Sequence, residues 1–127
     1  MDKTNCVIYE GIYYTVEWYY EENGYSQAYE YFLTITDLQK RKFLILVKRI
    51  ADVGKIFDIT KFRYEGDDIY AFKPQPDRYL SFFMVGRKII ITNAFCKKTD
   101  KLPDTEKELA IRYKNNYLNK QIYGNNF

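Results

Sequence analysis

The hydrophobic pattern changes period twice along the chain. Ile12 to Tyr20 (IYYTVEWYY) mixes aromatic and β-branched side chains and runs into Glu21-Glu22-Asn23-Gly24, which predicts a strand ending in a turn. A helical period follows. Ser26 is placed to cap a short helix over 27–35 with Phe32 and Leu33 inward, and Thr36-Asp37 to cap a second over 38–52. In the second, Phe43, Leu44, Leu46, Val47 and Ile50 share one face, Lys40, Arg41, Lys48 and Arg49 lie outside it, and Gly54 ends the run. Residues 54–68 keep no period and read as a connecting loop. From Ile69 the pattern becomes β-type, and 69–73, 78–85 and 88–95 predict three short strands. Pro74-Gln75-Pro76-Asp77 separates the first two, and a two-residue turn with Gly86 in first place joins the last two. Leu102-Pro103-Asp104 then opens a helix to about Leu118, with proline and acids at its start. The order β-α-α-β-β-β-α predicts a single α+β domain over 1–127, a small antiparallel sheet with helices packed on one face.

Turn lengths set a register. With Gly86-Arg87 closing the hairpin, Arg78 falls opposite Phe95 and Leu80 opposite Asn93; with 74–77 as the other loop, Lys73 falls beside Arg78 and Ala71 beside Leu80. Alternation then gathers Lys73, Arg78, Asn93, Phe95 and, one step on, Lys97 on one face at one sheet end, above apolar rows of Ile69, Phe82 and Ile91. Lys98 and Lys101 follow directly. Cations for phosphate beside an aromatic face for bases form the mixture that single-stranded nucleic acid takes. Edge-strand protection and sheet packing employ the same residue types, so the pattern alone leaves both readings open.

Composition narrows the chemistry. The 127 residues include no histidine but 14 Tyr, 9 Phe and 1 Trp. Without histidine, Ser-His-Asp and Cys-His nucleophile systems and His-ligated metals are excluded. Cys6 and Cys96 are far apart and read as two reduced thiols. Residues 1–36 hold one base against six acids, a net of −5, whereas 37–127 hold 19 bases against 11 acids, a net of +8. The second block is the one suited to a polyanion. The longest uncharged apolar run is Phe43–Val47, and Met1–Asn5 lacks a signal-peptide core, which predicts a cytoplasmic protein that does not engage membranes.

One resemblance joins these features. Ile69 to Pro103, IYAFKPQPDRYLSFFMVGRKIIITNAFCKKTDKLP, resembles the central stretch of HigB-type toxins of the RelE/ParE superfamily. The shared features are a strand ending in a basic residue and proline, Asp-Arg after a loop, two apolar strands joined at glycine, and Phe-x-Lys-Lys-Thr-x-Lys-x-Pro. Upstream, Glu22-Asn23-Gly24 and Tyr29–Leu33 look like the family's earlier segment, so the likeness spans about residues 14–118. The resemblance implies the toxin of a type II toxin–antitoxin pair, often phage- or prophage-borne. Such a toxin cleaves mRNA on the ribosome and is silenced by a helix-turn-helix antitoxin. By position, Lys73 stands for the family's Arg before Pro, Arg78 for the Arg after the loop, and Lys97 and Lys98 for the basic pair. Ala71 stands where the family usually has Glu, and Asn93-Ala94 where histidine is frequent.

In-line attack of a ribose 2′-oxygen on the adjacent phosphate needs a base, stabilisation of phosphorane charge and protonation of the 5′-oxygen. Lys73, Arg78, Lys97 and Lys98 are the candidate catalytic residues, with Asn93, Phe95, Lys101 and Tyr113 as RNA-binding candidates; neither metal nor cofactor is called for. The alternative is a phage-derived protein of the same fold, weakened in catalysis, that binds RNA or a protein.

Overall fold

The computed structural model describes residues 6–124, with side chains through Lys120, so the reading of Met1–Asn5 lies outside the described residues. The elements run β1 (Val7–Glu10), β2 (Thr15–Trp18), α1 (Gln27–Thr34), α2 (Asp37–Val53), β3 (Phe62–Tyr64), β4 (Tyr70–Phe72), β5 (Asp77–Met84), β6 (Lys88–Cys96) and α3 (Asp104–Gly124). The α+β class is the one the sequence predicts. Both early helices begin where their caps stand. Ser26 Oγ accepts the Tyr29 amide, and Thr36 closes a capping box with Gln39. Gly54 ends α2 in the left-handed conformation, φ +89°, that a side chain would disfavour.

The sheet order is β1-β2-β6-β5-β4-β3. It is mixed rather than antiparallel throughout, because β2 lies parallel to β6 after the crossover through the helices. The strand predicted over 12–20 is β2 alone, and β1 precedes it unpredicted: the chain turns at Gly11, where a Cβ would come within 2.5 Å of the Ala51 backbone, and β1 pairs back on β2. The helices cover both faces, not one. α1 and α2 pack on the face formed by Val16, Trp18, Phe72, Tyr79, Ile89 and Ile91. α3 packs through Ala110 and Tyr113 on Ile69, Leu80, Phe82 and Ile90. β5 and β6 are apolar on both alternating sets, so each face has to be sealed from water. Trp18, Phe43 and Tyr79 form the centre of the first core, with Phe43 and Tyr79 stacked at 3.8 Å. Leu33 and Leu44, read as inward from spacing, are instead exposed.

Residues 54–68 hold a short strand. β3 pairs antiparallel with β4, and Phe62 stacks on Tyr70 at 5.5 Å. Three residues are too few to declare a period, which is why the sequence reads as loop there. The β5–β6 hairpin differs in detail as well. Met84 pairs with Lys88, leaving a three-residue turn in which Gly86 and Arg87 both have positive φ. A bulge then falls at Thr92, between Ile91 and Asn93, opposite Leu80 and Ser81. Beyond it Leu80 faces Asn93 and Arg78 faces Phe95, the register predicted from a two-residue turn. The bulge also turns Ile91 to the α1–α2 face and sets Ile90 beneath the basic end in its place.

Candidate nucleic-acid interface

The end of the sheet where β4, β5 and β6 finish carries a cleft floored by Ala71. Five predicted residues line it: Lys73, Arg78, Phe95, Lys97 and Lys101. Glu65, Thr99, Asp100 and Leu102 complete the wall. The β4–β5 register, with Ala71 opposite Leu80 and Phe72 opposite Tyr79, continues to bring Lys73 beside Arg78.

Arg78 is nearly buried, at 8% exposure. Its Nη1 donates to the Asp77 carbonyl at 3.0 Å, and no other protein hydrogen bond engages the guanidinium among the described residues. Burial lowers its pKa, the nearby Glu65, Asp100 and Asp77 opposing, yet an arginine remains charged. The remaining donors of this fixed fork suit bidentate contact with a phosphate. The strand start that carries Arg78 is anchored from behind. Asp77, fully buried, accepts from Tyr31 Oη and from Gln39 Nε2 at 3.1 Å, and the Lys97 amide donates to Pro76 O at 2.8 Å.

Lys73 donates from Nζ to the Ile59 carbonyl at 3.3 Å. Partial burial, followed by the fields of Arg78, Arg63 and Lys97, pushes its pKa below the usual lysine value. Lys97 pairs with Asp100 at 2.7 Å, and that hydrogen bond holds the Asp100 carboxyl below the usual carboxylate range. Lys73 thus gives up its proton more readily than an isolated lysine does.

Three predicted residues lie elsewhere. Asn93 is fully buried: Nδ2 donates to the Glu106 carbonyl at 3.1 Å and to its carboxylate at 3.0 Å, and Oδ1 accepts from Thr92 at 2.7 Å. It fastens α3 to β6. Tyr113, 4% exposed, packs its ring at a tilt on Tyr19, centroids 4.6 Å apart, and donates to Glu21 at 2.8 Å. Lys98 is exposed and outside the cleft lining. Glu65 was invisible to sequence reasoning because it follows the strand that showed no period. Only the pairing of β3 with β4 places it, its amide donating to Ile69 O at 2.8 Å.

A larger concavity of about 670 Å³ adjoins the start of α1, between Tyr20, Tyr25, Tyr29 and Glu30. It is lined by no cation and does not suit a polyanion.

A mixed six-stranded sheet with three helices and a basic cleft at one sheet end makes this a small α+β protein, consistent with a toxin-like fold. Residues 30–115 match the family described as Phage derived protein Gp49-like (DUF891), and the chain belongs to that family, which is RelE/toxin-like. Among curated proteins none matches the chain. No helix among the described residues is long and apolar enough to cross a membrane.

Proposed function

We propose that this chain is a HigB-type toxin of a type II toxin–antitoxin system, an endoribonuclease that cleaves mRNA on the ribosome in the cytoplasm. One observation carries the reading: four cations, Lys73, Arg78, Lys97 and Lys101, line one cleft around Phe95 in a chain of a RelE/toxin-like family. Phe95 offers a face for a base, and the cations offer phosphate contacts. Arg78 and Lys97 stabilise the charge of the pentacoordinate phosphorane. Lys73, with its loosened proton, protonates the departing 5′-oxygen. Lys98, exposed beside the cleft, meets the RNA backbone further along. A helix-turn-helix antitoxin covers the cleft until it is removed.

The test is induction of the chain alone and together with its neighbouring reading frame. Growth arrest relieved by the neighbour, with mRNA cleavage mapped by primer extension, is the expected result. A Lys73→Ala/Arg78→Ala double variant should abolish both. Arrest and cleavage that persist in the double variant refute the residue roles. Cells unaffected by the chain alone favour instead a binding protein of the same fold, a reading that Ala71 in the cleft floor and the structural commitment of Asn93 would then explain.

A further inference from the structure

We propose that Glu65 is the proton acceptor of this cleft, an assignment that rests on the ribonuclease reading above. Two carboxylates line the cleft, Glu65 and Asp100. Asp100 is held by Lys97 at 2.7 Å, whereas no ion pair or side-chain hydrogen bond engages Glu65 among the described residues. No tyrosine is among the residues lining the cleft: Tyr79 lies in the core beneath α1 and α2, and Tyr113 donates to Glu21. Because Arg63 pairs with Ala71, and the Glu65 amide bonds Ile69 O, alternation sets Glu65 on the sheet face of Ala71 and the cleft. Its charge acts on both Lys73 and Arg78.

The turn that follows Glu65 is held in place. Gly66, Asp67 and Asp68 have φ of +90°, +54° and +62°. Two lysines of α3 fasten it: Lys107 pairs with Asp67 at 3.0 Å and Lys114 with Asp68 at 3.6 Å, and Lys114 also donates to Asp67 O at 3.1 Å. Aspartate is among the few side chains that enter the left-handed region, and the two ion pairs hold the turn there. The Glu65 carboxylate thus stands in the cleft with no protein partner among the described residues, beside a turn that α3 holds in place, and is free to meet a ligand.

In the step assigned to it, Glu65 takes the proton of the ribose 2′-hydroxyl as the 2′-oxygen bonds to phosphorus. The bond from phosphorus to the 5′-oxygen breaks, and that oxygen takes a proton from the Lys73 ammonium. The products are a 2′,3′-cyclic phosphate and a 5′-hydroxyl. Glu65 is left protonated and Lys73 neutral, and exchange with water restores both.

The experiment follows single-turnover cleavage of ribosome-bound mRNA by the full chain and by Glu65→Gln, Glu65→Asp and Lys73→Ala. It uses normal mRNA and mRNA with one bridging 5′-sulfur at the cut site, a leaving group that departs without an acid. Glu65→Gln should lower the cleavage step by about 10²–10⁴-fold with little change in half-saturation, and Glu65→Asp by less. The sulfur substrate should rescue Lys73→Ala but not Glu65→Gln. Urea midpoints confirm that the variants fold. If the unaltered chain cleaves and Glu65→Gln stays within about 3-fold of it, or weakens only half-saturation, the assignment is overturned and the ribonuclease reading stands. If the unaltered chain cleaves neither substrate, the ribonuclease reading itself falls.

Discussion

Two neighbouring tyrosines should answer the same deletion with opposite signs. The rings of Tyr31 and Tyr79 lie 6.1 Å apart. Tyr31 Oη donates into the buried Asp77 carboxylate, whereas Tyr79 Oη, fully buried, has no hydrogen-bond partner among the described residues. Tyr31→Phe leaves Asp77 with Gln39 alone and should cost about 1.5–3 kcal/mol, the range for a hydrogen bond to a charged group. Tyr79→Phe removes a hydroxyl that was stripped of water for nothing, while the stacked ring on Phe43 stays, so it should stabilise by about 1 kcal/mol. For a chain of this size each kcal/mol moves the melting point by roughly 3–5 °C. Urea titration followed by tryptophan fluorescence reads both, since Trp18 lies 6.4 Å from Tyr79; the midpoints should separate in opposite directions at unchanged slope. The double variant tests coupling between the two rings. Midpoints that move the same way, or a Tyr79→Phe loss above about 0.5 kcal/mol, refute the reasoning.

Other consequences can be checked alongside. Asn93→Ala should lower stability by about 1–3 kcal/mol through the lost bonds to Glu106, yet leave RNA affinity unchanged in filter binding. Lys101→Ala should weaken RNA binding across sequences and make the slope of log affinity against log salt shallower by about 0.7, one phosphate's worth. Burial raises the pKa values of Tyr31, Tyr79 and Tyr113, with Asp77 or Glu21 adding to it. A raised folded value contributes stability that is complete below the unfolded tyrosine pKa of about 10 and is lost as pH climbs beyond it. Tyrosinate absorbance should therefore lag behind that of the unfolded chain and then rise together with loss of helical dichroism.

What the sequence disclosed divides along physical lines. The helices were legible because their caps are side-chain chemistry: Ser26, Thr36 with Gln39, and Gly54 each announce an end. The cleft was legible because turn length and alternation together determine which side chains meet, and Lys73, Arg78, Phe95 and Lys97 meet as the register requires. What escaped were features without local periodicity. β3 is three residues long, Glu65 depends on its pairing, and the second helical layer depends on β5 and β6 being apolar on both sides. Asn93 was placed on the correct face, but local pattern does not reveal that Glu106, thirteen residues later, takes its amide. Of the chain's tyrosines, Tyr79 belongs to the core, Tyr31 supports Asp77 and Tyr113 secures α3.

The bulge at Thr92 divides β6 into two independently phased halves. The first, Lys88 to Ile91, is clamped between β2 and the outer part of β5, and its phase belongs to the turn. The second, from Asn93, takes its phase from the inner part of β5, from Gln27 bonding both sides of Ala94, and from Glu106. Thr92 acts as an expansion joint between them. The three-residue 85–87 turn and the cleft pairing of Arg78 with Phe95 are therefore one residue out of step, and the bulge absorbs the difference. Deleting Thr92 would join Ile91 directly to Asn93, opposite the adjacent Ser81 and Leu80, and so close the ladder into one continuous phase with Arg78 still opposite Phe95.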